Sequence, residues 1–287
     1  MPKAAVEQNS TKRKPKLGQN FLADRTYAQR IVDALGDVSQ ATVVEIGPGR
    51  GALTDLLVNR AGHLIAVELD RILAAQLRMK YATRTNIEIL EADVLTVDFP
   101  TMLGIRPGPL RDLRPTTRSK VRVVGNLPYY ITSDILLRLF ACHDCIDSIV
   151  IMVQREVADR ISARPGTREY GLLSATAQLY TSVEKLFDVP PGAFAPPPKV
   201  HSAVLRLTVK PRIEELGVDN DGFVDYLKLS FGQKRKTLFN NLRQSHDPDS
   251  VRAAMQQAGV KPDVRAEAIT LAKAAAIYKA LGPRKSA

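Results

Sequence analysis

The sequence predicts a doubly wound α/β fold on a mostly parallel sheet, followed by a small all-helical segment. Three observations carry this. Short apolar runs recur along the first two thirds of the chain, separated by stretches of helical periodicity. Most of those runs are near-continuous rather than alternating, the pattern of strands buried on both faces and hence of parallel pairing. From Pro211 onward the strand pattern stops and only helical patterns remain.

Taken in order, Thr42–Ile46 reads as a buried strand, followed by glycines and the helical stretch Leu53–Arg60. His63–Val67 is the next strand, followed by a helix over Ile72–Tyr81. Asn86–Leu90, Val121–Val124 and Ser148–Val153 are further strands, with a helix-like Ile131–Phe140 before the last of them. Ser182–Val189 and His201–Val209 are two later strands. Pro190–Lys199, between them, is dense in proline and glycine, which excludes regular structure there. Val224–Leu229, Leu238–Leu242, Val251–Ala258 and Ala266–Leu281 are short helices. The expected divisions are a basic arm over 1–16, an α/β domain over 17–209 and a helical domain over 210–287.

The chain has 287 residues, 45% of them apolar, enough for one large core and a smaller one. A formal net charge of +11 favours an anionic partner, nucleic acid first. No apolar run approaches the ~20 residues of a membrane span, so no membrane partner is expected. Met1–Lys16 carries five basic residues against Glu7 and lacks the apolar core of a secretory signal. It reads as a mobile arm that either contacts phosphate or is simply a chain end. Pro100–Lys120 is a second basic stretch, with Arg106, Arg111, Arg114, Arg118 and Lys120. It is either an RNA-facing loop or a tolerated insertion. The only cysteines, Cys142 and Cys145, form a lone C-x-x-C with no second pair to complete a zinc site; no metal is expected. Sparse cysteine fits a reducing, cytoplasmic setting.

Four strand ends carry chemistry. Glu45-Ile46-Gly47-Pro48-Gly49-Arg50-Gly51 closes the first strand, and its glycines allow a tight turn and close approach to a ligand. Its G-x-G-x-G spacing departs from the G-x-G-x-x-G of dinucleotide sites, which disfavours a nicotinamide cofactor. Glu68 ends the second strand, where a carboxylate can accept both hydroxyls of a ribose. Asp93 follows the third and could accept from an adenine amine. Asn126-Leu127-Pro128-Tyr129 follows the fourth, and combines an amide, a stiffened carbonyl and an aromatic ring. Those parts suit a flat nitrogenous base, although each also has an ordinary turn or surface role.

These motifs occur in a recognisable order: Gly18-Gln19-Asn20-Phe21-Leu22, Glu45–Gly51, Glu68, Asp93, Asn126–Tyr129, Phe194-x-Pro196-x-Pro198-Lys199-Val200-x-Ser202, and Arg235-Lys236-Thr237-Leu238-x-Asn240-x-Leu242. From about Leu17 to the C-terminal helices the chain resembles the KsgA (RsmA) family of S-adenosylmethionine-dependent ribosomal RNA adenine dimethyltransferases. The resemblance implies a Rossmann-like methyltransferase domain and S-adenosylmethionine as cofactor, held by Asn20, Leu22, Gly47, Glu68, Asp93 and Asn126. For Asn20 and Leu22 the residues alone suggest only an N-terminal anchor. The implied substrate is a pair of adjacent adenosines in a hairpin near the 3′ end of 16S ribosomal RNA, each dimethylated on its exocyclic amine. The implied partner is the immature small ribosomal subunit, met by a monomer. Tyr130 and Thr132 depart from the residues common at those places.

In the catalytic reading, the Asn126 side-chain oxygen and the Leu127 carbonyl accept the two N–H bonds of the adenine amine, and Pro128 stiffens that carbonyl. Tyr129 stacks on the ring. Phe194 either covers the other face or is a core aromatic beneath the proline loop. Lys234, Arg235 and Lys236 are phosphate contacts or a solvated helix face. Three alternatives stay open: methylation of a different adenine in large-subunit RNA or DNA, a non-enzymatic RNA-binding factor, and a nicotinamide oxidoreductase.

Overall fold

The computed structural model describes residues 20–103, 121–128 and 130–282. Tyr129, Gly18, Gln19, the basic arm over 1–16 and residues 104–120 of the basic stretch lie outside them. Nine strands, β1 (Phe21–Leu22), β2 (Thr42–Ile46), β3 (His63–Glu68), β4 (Ile87–Glu91), β5 (Val121–Asn126), β6 (Ile146–Gln154), β7 (Thr181–Val189), β8 (Phe194–Ala195) and β9 (Ser202–Val209), form two sheets among the described residues. The large sheet has the order β4-β3-β2-β5-β6-β9-β7. Its first five strands pair in parallel, and β9 and β7 add an antiparallel edge. This is the α/β class the apolar runs imply.

Residue alternation along the central strands divides the core in two. Val43, Leu64, Val124, Val150 and Val204 face one side, where they pack with α1 (Arg25–Asp33), α2 (Thr54–Leu57) and α3 (Arg71–Lys80). Val44, Ile65, Val123, Ile149 and Leu205 face the other, against α5 (Thr132–Ala141), α6 (Arg155–Ile161) and α7 (Leu172–Tyr180). α4 (Phe99–Met102) closes the loop after β4 and buries Phe99. Burial on both faces accounts for the absence of polar alternation in these strands.

The chain winds outward from β2 to β3 and β4, then returns to lay β5 on the other side of β2. The switch in direction opens a crevice beyond the carboxyl ends of β2 and β5, where open α/β sheets bind their ligands. Ile46 lies opposite Gly125 in this pair. A side chain at Gly125 would place its Cβ 2.6 Å from the Ile46 carbonyl oxygen, so close strand approach requires glycine there.

After Val209 only helices follow: α8 (Ile213–Leu216), α9 (Asn220–Ser230), α10 (Leu238–Leu242), α11 (Pro248–Gln257) and α12 (Leu271–Leu281). They do not enclose a separate core. Phe223, Leu227, Leu242 and Met255 join the same hydrophobic cluster as Leu136, Phe140 and Tyr180.

Two sequence expectations need correction. Pro190–Lys199 is not irregular throughout: Pro191–Ala193 forms a 3-10 turn, and Phe194–Ala195 pairs antiparallel with Phe21–Leu22. The missing proline N–H groups do not matter, because this ribbon uses the non-proline residues between them. The helical stretch at Leu53–Arg60 shrinks to Thr54–Leu57, too short to offer an anion site at its N-terminus.

Candidate functional site

The crevice at the switch point is a pocket of about 240 Å³, bounded by the N-terminal segment and by the ends of β2, β3, β4 and β5. Asn20, Leu22, Gly47, Glu68, Asp93, Asn126, Leu127 and Pro128, all singled out by sequence, line it together.

Glu68 organises the wall formed by the ends of β2 and β3. It is the last residue of β3, and its side chain is buried. One carboxylate oxygen accepts from the Gly49 N–H and the other from the Asp70 N–H, each at 2.9 Å. These bonds hold a buried charge and leave each oxygen a further lone pair for a ribose hydroxyl. Gly49 has φ of +58°, and a Cβ there would stand 3.0 Å from the Phe21 ring. The turn therefore requires glycine for both conformation and space.

The same bond decides between ligands. A pyrophosphate cradle needs free backbone N–H groups, whereas here the Gly49 N–H is already given to a carboxylate. Two carboxylates, Glu68 and Asp93, line the pocket against one guanidinium, Arg50, and a third acid, Glu45, stays protonated at neutral pH because burial raises its pKa to about 8. Arg50 lies over the Phe21 ring at 4.5 Å. That charge balance suits a cationic nucleoside sulfonium and opposes an anionic dinucleotide. Asp93 lies beyond β4, and one of its oxygens accepts from the Leu95 N–H at 2.9 Å, which fixes the carboxylate at the rim.

Asn126 is the last residue of β5 rather than part of the following loop. Its Nδ2 donates to the Asn20 carbonyl at 3.1 Å, which ties the N-terminal segment to the strand and assigns Oδ1 as the acceptor end. The Leu127 N–H donates to the Met152 carbonyl at 3.1 Å, so β6 anchors the next peptide. Pro128 gives its own carbonyl to the Ile131 N–H and to the Thr132 hydroxyl, at 3.3 and 2.9 Å. Thr132 thus locks the turn against α5.

Glu45 belonged to the glycine motif in the sequence but carried no role of its own. It is buried and lines the pocket, and its carboxyl accepts from the Thr54 hydroxyl at 2.8 Å. Burial pushes its pKa up to about 8; the Thr54 bond opposes this, and Glu68 and Asp55 add to it. The signal in the sequence is an acid inside an otherwise apolar buried strand, one residue before its end. Because the folded pKa exceeds the unfolded one, stability contributed by this proton is complete at low pH and is lost as pH rises from about 4.5 to about 8. The slope is at most about 1.4 kcal/mol per pH unit. Glu45→Gln is therefore expected to gain about 1–3 kcal/mol relative to the parent between pH 5.5 and 7.5, as read by urea unfolding at both pH values.

Phe194 is elsewhere. It is 4% exposed, pairs with Leu22 and packs in the cluster with Val189 and Val204 rather than lining the pocket. Its pairing through β8 explains the burial. Lys234, Arg235 and Lys236 are all exposed, in the turn before α10. Lys234 and Lys236 border a second cleft, between the N-terminus of α7 and the α9–α10 turn, together with Ser133, Arg160 and Arg168; Arg235 does not. Cys142 and Cys145 are half-buried and not disulfide-bonded. Among the described residues no three His, Cys, Asp or Glu side chains converge on a metal-sized site.

A family model described as "Ribosomal RNA adenine dimethylase" matches residues 10–282. "Ribosomal RNA small subunit methyltransferase A" of Koribacter versatilis is 65% identical over 282 residues, covering 98% of this chain and 99% of that protein. The protein of the same name from Acidobacterium capsulatum is 53% identical over 276 residues, covering 96% and 93%. Among solved structures, the 23S rRNA methyltransferase ErmE superposes with a TM-score of 0.63 at 27% identity, covering 91% of this chain and 99% of that one. A dimethyladenosine transferase from Plasmodium falciparum gives 0.72 at 22% identity, covering 90% and 95%, a likeness of fold.

Proposed function

The chain belongs to the ribosomal RNA adenine dimethylase family, whose methyl donor is S-adenosylmethionine, and we propose that it dimethylates the exocyclic amines of two adjacent adenosines in a hairpin near the 3′ end of 16S ribosomal RNA. It acts, in this reading, as a cytoplasmic monomer on the immature small subunit. The observation that carries the reading is a pocket with the Gly47–Gly49 turn and Glu68 on one wall and Asn126-Leu127-Pro128 on the other. The names of the similar proteins supply the polymer.

When bound, S-adenosylmethionine supplies a methyl group already activated by its sulfonium, so no protein nucleophile is needed. The obstacle is the adenine amine, whose lone pair is delocalised into the ring. Asn126 Oδ1 and the Leu127 carbonyl accept its two N–H bonds, draw the nitrogen toward tetrahedral geometry and aim the lone pair at the methyl. The Asn20 carbonyl holds the Asn126 amide in that orientation. Pro128 and its two bonds from Ile131 and Thr132 keep the Leu127 peptide from turning. Tyr129 stacks on the base. After the first transfer the amine keeps one N–H, and either acceptor can hold it for the second. The nitrogen sheds one proton after each transfer, which requires no strong general base. Glu68 and Asp93 bind the ribose and adenine of the donor; Asn20, Leu22 and Gly47 complete its walls.

The target adenine leaves its stack to enter the pocket, and Lys234, Arg235 and Lys236 grip phosphates alongside. Replacing Lys234 and Lys236 by Gln is expected to reduce the slope of log affinity against log salt by about 0.7–0.9 for each phosphate no longer neutralised. An unchanged slope for RNA binding removes these lysines from the interface. The reading as a whole is tested by incubating the protein with labelled S-adenosylmethionine and, separately, immature small subunits, large subunits and DNA. Label in the immature small subunit supports it; label confined to another polymer overturns it.

A further inference from the structure

We propose that Tyr130 is a substrate-positioning residue, a stacking platform for the nucleobase that neighbours the adenine in the pocket. The inference rests on the adenine-methylating reading above and adds a contact for the adjacent nucleotide.

Among the described residues Tyr130 is the only exposed phenylalanine or tyrosine, with 65% of its surface open. An apolar ring is left in water at a cost, and its place is not random: it lines the mouth of the pocket beside Pro128 and Ile131. The other aromatic expected over the base, Phe194, is buried and takes no part in that lining.

The backbone beneath Tyr130 is held. The Pro128 carbonyl accepts from the Ile131 N–H and from the Thr132 hydroxyl, so Tyr130 immediately precedes residues tied down at the start of α5. A ring presented next to a tied helix start loses less freedom on binding than one on a free chain end, which favours it as a contact.

The segment also lies between the two clefts. Tyr130 and Ile131 line the methyl-transfer pocket, whereas Ser133, on the next turn of backbone, lines the cleft bordered by Lys234 and Lys236. A strand with one base in the pocket and its phosphates along that cleft crosses the turn at Tyr130. Extruding a base leaves its neighbour with an unpaired face, and an aromatic side chain is the group that covers such a face without regard to sequence. Where the two target adenosines are adjacent, the base on Tyr130 is the other target.

The test uses Tyr130→Phe, Tyr130→Leu and Tyr130→Ala in the full chain, with methyl transfer measured against immature small-subunit concentration. Melting temperature and affinity for S-adenosylhomocysteine serve as controls of folding and of the cofactor site. The Leu and Ala variants are expected to raise KM by at least about fivefold, the loss of one aromatic–base stack. The RNA they yield should more often carry methyl groups on only one of the two adenosines, as counted by mass spectrometry of digested fragments. Phe is expected to restore both values to within about twofold, since it keeps the ring and loses only the hydroxyl. The platform is overturned if Leu and Ala leave KM and the product ratio unchanged, or if Phe behaves as Ala does. The parent protein in the same assay separates the two levels: without adenine methylation by the parent, the functional reading itself fails.

Discussion

Asn126→Ala is expected to fold normally and to lose roughly 30- to 1,000-fold in kcat, about 2–4 kcal/mol of transition-state stabilisation. The fold should survive because β5 is paired on both sides through backbone bonds, to β2 and β6, and those do not involve the side chain. The chemistry should not, because the substitution removes two things together. One is the acceptor proposed for an N–H of the target amine; the other is the Nδ2 donor that fixes the Asn20 carbonyl against the strand. Single-turnover measurements with both substrates saturating isolate the chemical step from binding. A rate within about threefold of the parent would remove Asn126 from the transition state.

Glu68→Gln is the second large effect. Gln keeps the volume and one carbonyl oxygen but replaces the other oxygen by an NH2 group. Since the Gly49 and Asp70 N–H groups are taken by different oxygens of Glu68, one of them must face a donor whichever way the amide is turned. An unsatisfied buried donor costs about 1–3 kcal/mol. The glycine turn loses its fixed shape, and the pocket loses a negative charge next to a cationic ligand. Affinity for S-adenosylmethionine, measured by calorimetric titration, is expected to fall at least about tenfold, with a lower melting temperature. An affinity within about twofold of the parent would mean that Glu68 braces the turn without touching the cofactor.

The parts of this architecture that local sequence could reveal are those whose pattern does not depend on a distant partner. Thr42–Ile46 and His63–Glu68 are apolar because both faces are covered, and they were readable as buried strands on that ground. α7 was not readable: Leu172–Tyr180 buries Ser174, Ala175, Thr176, Ala177, Leu179 and Tyr180 and so lacks the polar face that gives a helix its period. α1 does carry sequence signals, an Asp24 cap position and Ala28, Ile31 and Val32 at helical spacing, and in the structure Asp24 accepts from the Thr26 N–H and those three residues are buried. β1 and β8 are two residues each and exist only because they meet, which no window of sequence shows.

The site was legible to a different degree. The residues at strand ends followed from the rule that parallel sheets bind ligands at their carboxyl ends, and Gly47, Glu68, Asp93 and Asn126 line one pocket. Asn20 and Leu22 do not follow from local chemistry: Asn20 is tied to the site by a hydrogen bond from Asn126 across 106 residues of chain, and Leu22 reaches the pocket wall through its pairing with Phe194. Phe194 illustrates the opposite limit. A proline-rich surround suggests an open loop, yet pairing with Leu22 carries the ring into the core. Glu45 shows that a buried acid can hide inside a glycine motif whose other residues draw the attention.

In the proposed reaction one pocket presents an adenine amine, held by Asn126 and Leu127, to the methyl of the bound donor. Its most direct test is nucleoside and fragment mass spectrometry of 16S ribosomal RNA from immature small subunits reacted with labelled S-adenosylmethionine. Two labelled methyl groups are expected on the exocyclic nitrogen of each of two adjacent adenosines in the 3′ hairpin, nearly absent when Asn126→Ala replaces the parent for the same reaction time. Label on a ring nitrogen, on a ribose hydroxyl or on a base other than adenine would contradict it.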